Sequence, residues 1–525
     1  MEEQLVKTEM QSAKAQSGVI RLIGSLIRKL TQLINSSKDK TKDKEYLDLD
    51  LFTQLSYMAA ISSSGLSRGR IFQNAAQLPY SSSSYFRDVN FLVHKLNYDY
   101  PEACRVVGEN TKEPEPRAIL LRMAGALASG EPEQVFLGRE AYAQGETYGN
   151  AYERTLQTLK TWTDAYVALT LSASLIVIVA VIAMMIYPVQ TSFVMVLSGM
   201  AIMATVAGAW VIYRSAPKEI KTHSLPECSS GQSLARTLFK LLFPASLIIC
   251  LILALLNVNL GWVLLVISAM VLPPGLIIIW DDRKIDKHDN DIAGLLRSLG
   301  STAKAVSTTL GDAVSKLDTR STGSLQNAVK RLKARLHTGV STELAWQKFV
   351  GETGSEHVHR SVTILRDAVD LGADPGKAGD QSSFYAMKIA LLRARRKLVS
   401  VGFSWLVVVM HAAITGLMLF LCGVLMVFAG AIKGMGSMEA GGYGGVLPTF
   451  GFFGDATQLE LFRTVVIIVI AVFTVANAFV IRAAEGGHHY KFLFYFGILA
   501  AVSGLVILVT PNLVSMALGS VVPIM

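Results

Sequence analysis

Seven apolar runs dominate this chain, six of about 18 to 25 residues and one longer, each long enough to cross ~30 Å of hydrocarbon as a helix. They lie at roughly 165–187, 192–213, 238–258, 260–280, 398–431, 461–481 and 492–510. Backbone in lipid must satisfy its own polar groups, so the expectation is an all-α polytopic membrane protein with about seven transmembrane helices. The fifth run exceeds what a bilayer needs and is expected to emerge as a continuing helix. The first 18 residues are polar, so no cleavable leader is expected.

Lys and Arg beside spans stay cytoplasmic, which sets the orientation. Arg214, Lys218, Lys221 and Arg236 follow span two, Arg283, Lys284 and Lys287 follow span four, and Arg393, Arg395, Arg396 and Lys397 precede span five. Turns 188–191 and 257–260 hold no basic residue, and the Gly-rich segment 432–460 holds only Lys433, with Arg463 at its edge. The N-terminus is therefore expected inside and the C-terminus outside. This topology accounts for most of the formal net charge of +9, so nucleic acid is not an expected partner. Cys104, Cys228, Cys250 and Cys422 form no C-x-x-C pair and imply neither a disulfide framework nor a zinc site.

Two polar stretches, 51–164 and 281–397, share a rhythm of breaks between helix-periodic segments. In the first, breaks fall at Gly65 in "SSGLSRGR", at Asp99 and Pro101 in "LNYDYPEA", and at Gly130 and Pro132 in "ASGEPEQ". In the second they fall at Thr308, at Gly339 in "HTGVSTEL", and at Gly372 and Pro375 in "LGADPGKA". Gly past a helix end accepts the left-handed conformation, and Asp, Ser or Thr with an early proline starts the next helix. The shared offset near 242 residues reads as an internal duplication, each copy a cytoplasmic bundle of about six helices. The organisation expected is an amphipathic helix and charged linker (1–50), a first bundle (51–164), four spans (165–280), a second bundle (281–397) and three spans with an outer Gly-rich loop (398–525).

These breaks, with the motifs "SGLSRG", "TGVSTELAWQKF" and "SGEPEQVFL", resemble the F-domain platform proteins of type II secretion and type IV pilus machines. The tandem layout is most similar to archaellum and archaeal or Tad-type pilus platforms. The resemblance implies a non-enzymatic platform that couples a cytoplasmic hexameric secretion ATPase to assembly of pilin- or archaellin-like subunits, works as a homodimer and needs no cofactor.

A search for chemistry finds little to oppose this. "GADPGK" (372–377) lacks one residue between its glycines and the Ser or Thr of a phosphate loop, and reads as a helix break. His357 and His359, and His488 and His489, come without a helix-spaced third ligand and read as solvated or interfacial. The acidic cluster in "WDDRKIDKHDND" (280–291) reads as a neutralised interfacial turn that caps the next helix. A transporter would bury ionisable groups in mid-membrane, and His411 is the one candidate, which an interhelical hydrogen bond explains as well. Pro244, Pro273 and Pro274 are candidate kinks. No catalytic, cofactor-binding or metal-binding residue is expected. Candidate ATPase-docking residues are Arg68 and Arg70 at a hairpin tip, and the juxtamembrane Arg393, Arg396 and Lys397, for which lipid headgroup contact is the competing role. Segment 19–34 places Ile20, Ile23, Ile27, Leu30 and Ile34 in one stripe, suited to the membrane interface or to a bundle, before the charged linker 36–44.

Overall fold

The computed structural model describes residues 46–186, 191–223, 229–256, 258–438 and 456–518. The stretch 19–34, the linker 36–44, Cys228 and residues 439–455 of the Gly-rich segment lie outside the described residues. Among the described residues every regular element is helical, and Thr222 and Ser355 form one isolated β-bridge. The chain divides into two compact units, one up to Gln144 and one from Gly145 onward.

The first unit comprises α1 (Leu47–Ile61), α2 (Arg68–Gln77), α3 (Ser83–Leu96), α4 (Tyr100–Asn110), α5 (Pro114–Ala128) and the start of α6 (Glu133–Ile186). Helix α1 is buried on every side, as expected of a helix with apolar residues all round, and Phe52, Leu55 and Met58 are fully enclosed. Two of its buried polar side chains are anchored: Gln54 Nε2 donates to Ala75 O at 2.7 Å, and Asp50 accepts from the backbone and hydroxyl of Ser81.

The second unit continues through α7 (Thr191–Ser215), α8 (Ser230–Leu255), α9 (Leu260–Val306), α10 (Leu310–Lys316), α11 (Gln326–His337), α12 (Thr342–Thr353), α13 (Glu356–Asp370), α14 (Pro375–Met438), α15 (Ala456–Glu485) and α16 (Lys491–Leu518). Seven helices, α6 to α9 and α14 to α16, are long and apolar enough to cross a membrane. The chain is an all-α polytopic membrane protein.

Three of these helices extend far beyond their apolar runs. Helix α6 has 54 residues, α9 has 47 and α14 has 64, and none breaks where its polar and apolar segments meet. The expected turn at 280–291 is therefore absent: α9 runs straight through it, because its carboxylates have partners in space instead of capping a new helix. Helix α14 likewise runs into the segment expected as an outer loop, as far as Met438.

The repeat is visible in the helix boundaries. Helix α12 starts at 342 against 100 for α4, α13 at 356 against 114 for α5, and α14 at 375 against 133 for α6, each a displacement of 242. Left-handed residues follow the same register: Gly65 and Ser307, Asn97 and Gly339, Gly130 and Gly372. The breaks expected near Asp99 and Thr308 are there: Asn97 and Ser307 take the left-handed conformation at the helix ends, and Asp99 and Thr309 cap the helices that follow. Asn97 and Ser307 are the non-glycine residues with positive φ among those described. Repeat-equivalent positions also meet across the α6–α14 contact: Glu146 pairs with Lys388 at 2.9 Å, and Glu153 with Arg395, one heptad further on.

Within the spans, α9 and α16 approach until backbones touch. A Cβ on Gly261 would lie 2.9 Å from Gly504 O, and one on Gly504 would lie 2.9 Å from Gly261 O. Close approach through small residues is how membrane helices gain packing without a hydrophobic driving force. Gly504→Leu is expected to force these helices apart and lower stability by about 1–3 kcal/mol, read as a fall in thermal midpoint in detergent.

Candidate functional site

Where the polar parts of α9 and α14 meet their apolar runs, five elements bring charged side chains together, most of them out of water. The loop 216–223 supplies Glu219 and Lys221, α9 supplies Asp282, Asp286 and Asp289, and α14 supplies Arg393, Arg396 and Lys397. Glu485 ends α15, and Lys491 begins α16. Five cations meet five carboxylates.

The wiring is shared instead of pairwise. Lys221 Nζ lies 2.8 Å from Asp282 and also pairs with Asp286, which in turn takes Lys397 at 2.8 Å. Lys491 Nζ reaches Asp282 at 2.5 Å and Glu485 at 3.6 Å. Arg393 pairs with both Glu219 and Asp289 and donates to Ile220 O at 3.1 Å. Ser355 Oγ donates to Asp289 at 2.5 Å, and Tyr152 O–H to Glu219 at 3.2 Å. Each buried charge therefore has an opposite charge, and Arg393, Asp289 and Glu219 have further hydrogen bonds, the condition under which such a group is tolerated.

Arg396 plays a different part. Its guanidinium donates to Ala483 O at 3.2 Å, Ala484 O at 3.1 Å and Pro217 O at 2.8 Å, so it caps the free carbonyls at the C-terminus of α15. The turn beyond is Gly486–Gly487, both with positive φ, and a Cβ on Gly486 would lie 2.6 Å from the guanidinium. Glycine is required here for conformation and for room.

The loop is fastened to the second bundle as well. Beside the Thr222–Ser355 bridge, Glu356 N donates to Lys221 O at 3.1 Å. Burial would raise the carboxyl of Glu219, but Arg393 and Arg396 outweigh it and hold the group below its ordinary value. Burial would lower Lys221, but Asp282 and Asp286 hold it above its ordinary value.

The residues proposed from the sequence are divided by this arrangement. Arg393 and Arg396 are not available for docking: both lie in the interior, with their donors spent on carboxylates and carbonyls of the same chain. Lys397 is half exposed but pairs with Asp286. In the first unit Arg68 is paired, through Nε and Nη2, with Glu133 at 2.7 and 2.6 Å, and Arg70 is exposed. Gly372 has positive φ, and Asp374 accepts from Lys377 N at 3.0 Å, so "GADPGK" forms a helix start. His357 was expected to be solvated or interfacial and is instead 2% exposed, with Tyr385 beside it. His411 sits in a buried polar chain across four helices: Nε2 faces Ser503 Oγ at 2.9 Å, Asn477 Nδ2 donates to Nδ1 at 3.2 Å, and Tyr166 O–H donates to Asn477 at 2.7 Å.

Sequence reading placed Glu219, Lys221, Asp282, Asp289 and Lys491 in no common site. Apart from Lys491–Glu485, their pairings span 61 to 209 residues of chain, and no local spacing marks them.

No protein-family model and no solved structure matches the chain. Two curated proteins do. The Flagella accessory protein J of Methanocaldococcus jannaschii is 22% identical over 451 residues, covering 82% of this chain and 78% of its own. The Flagella accessory protein J of Methanococcus voltae is 22% identical over 463 residues, covering 83% and 79%. The chain is thus similar, over about four fifths of its length, to archaeal flagella accessory proteins, in line with the resemblance to archaellum-type platforms.

Two outcomes follow. Arg393→Met leaves Asp289 buried without its cation and is expected to destabilise by about 3–5 kcal/mol, and adding Asp289→Leu should restore part of that loss. Acid should weaken the second bundle. Burial pushes His357 down to about 3, with Arg393 and Arg360 adding to the effect and Glu219 opposing it. Glu356, despite burial, is held at about 2 by His359 and Arg360. Both groups bind protons more readily when unfolded, from reference values of 6.5 and 4.5, so stability is full above pH 6.5 and falls as pH drops toward 3. Thermal midpoints measured in detergent between pH 7.5 and 4 should decrease monotonically.

Proposed function

We propose that this protein is a cytoplasmic-membrane platform of an archaeal type IV filament machine, an archaellum or archaeal-type pilus. It couples a cytoplasmic hexameric ATPase to assembly of pilin- or archaellin-like subunits and, in an archaellum, to filament rotation. The observation that carries this reading is the likeness to two archaeal flagella accessory proteins along both halves of the chain.

The charge cluster supplies a physical route for coupling. Helices α9 and α14 each join a bundle segment to a span without a break, and the cluster ties both to the loop 216–223, to α15 and to α16. A displacement of the second bundle is then passed to four spans together. In this reading ATP hydrolysis belongs to the partner, both bundles and the N-terminus are cytoplasmic, the C-terminus is outside, and two copies act at the centre of the ATPase ring.

Arg70, exposed beside the Arg68–Glu133 pair, is the docking candidate that can be changed without breaking an internal contact. Purification from native membranes should recover a hexameric secretion ATPase. Arg70→Glu is expected to reduce that recovery about tenfold, in keeping with loss of one charge contact worth roughly 1.4 kcal/mol, while membrane insertion and helix content stay unchanged. Undiminished recovery would remove Arg70 from the interface, and absence of any ATPase from the wild-type preparation would sink the platform reading.

A further inference from the structure

One face of α14 has no cover among the described residues. Met387, Leu391, Ala394, Leu398, Val401 and Trp405 succeed one another at steps of four, three, four, three and four residues, a heptad seam along one side of the helix. All six are exposed, Leu398 at 79%, Trp405 at 69% and Met387 at 54%. The opposite side carries the buried Leu392, Arg396, Phe403 and Val407.

Lipid covers the part of this seam that lies in the bilayer, but not all of it. Met387 precedes Lys397 by roughly 15 Å of helix, on the cytoplasmic side of the basic residues that mark the membrane boundary. There an apolar row meets headgroups and water, at a cost that burial would remove. A soluble protein covers only the upper part, and lipid only the lower. Whatever covers both must cross the same boundary at the same height.

The repeat shows what this row is built for. At a displacement of 242, the positions in α6 are Gly149, Tyr152, Leu156 and Leu159, and all four are buried. The same face is thus packed in the first repeat and left open in the second.

Resting on the platform reading, in which two copies act together, we infer that the α14 seam is the contact between two copies of this chain. Every copy inserts in the same sense, so two α14 helices are parallel. A two-fold axis along the membrane normal then sets Met387, Leu391, Ala394 and Leu398 of one copy against the same residues of the other, the register a parallel heptad pair requires. The flanking cations do not oppose this, since Lys388 pairs with Glu146, Arg395 with Glu153 and Lys397 with Asp286 inside each copy. Beside Ala394, Leu398 and Val401 a groove of about 440 Å³ opens between α9 and α14, which leaves room for apolar side chains of the second copy.

The test uses the full-length protein in native membranes, with Cys104→Ala, Cys228→Ala, Cys250→Ala and Cys422→Ala as background. Single cysteines placed in turn from 386 to 402 are oxidised with copper phenanthroline. Dimer-sized product should peak at Met387→Cys, Leu391→Cys, Ala394→Cys and Leu398→Cys, and fall to the level of Trp280→Cys, an exposed control on α9, at Ile389→Cys and Leu392→Cys. In nanodiscs the double variant Met387→Glu, Leu391→Glu should shift from two copies to one, an association weakened more than about tenfold, with helix content unchanged. Cross-linking without that periodicity, or a double variant that remains dimeric, would overturn the seam. Neither result touches the platform reading, which recovery of the ATPase decides separately.

Discussion

Charge taken out of water has to be answered by charge, and that requirement organises this protein around its membrane boundary. Five cations and five carboxylates converge there from one loop and four helices, and none is supplied with a partner by its own element alone. Most members have two partners of opposite sign, so the group behaves as a unit, and Asp289, whose cation is Arg393, is the member most exposed to the loss of one partner. The spans and the polar helices that continue from them are consequently fixed to each other by contacts that are costly to break, and the packing of α9 on α16 continues that fixation along the spans.

Much of the architecture was legible in the sequence, for local reasons. The seven apolar runs announce themselves because lipid admits few alternatives to a helix. The breaks at Gly130, Pro132, Gly372 and Pro375 are written in residues whose backbone preferences are independent of the rest of the chain. The breaks near Asp99 and Thr308 were legible from their helix-starting residues, but the left-handed Asn97 and Ser307 beside them were not, because a non-glycine side chain held in that region carries only a weak signal.

The cluster itself was not legible. A lysine near a span looks the same whether it faces headgroups, as the positive-inside rule suggests for Lys221, or lies between two aspartates. Arg393 and Arg396 were read as surface residues because arginine usually is one, and only the fold reveals that Glu219 and the last carbonyls of α15 are waiting for them. The acidic stretch at 280–291 was misread for the same reason: its carboxylates neutralise partners far away in sequence, so the helix had no need to stop.

The ion pairs Glu146–Lys388 and Glu153–Arg395 join positions that the duplication makes equivalent, which has a consequence for how this architecture could arise. Two identical ancestral segments facing each other in that register would have set like against like at both places. Within one polypeptide the paired positions carry opposite signs, so a register that would repel between identical segments attracts here, and each half has a polarity that a symmetric pair of identical segments could not possess.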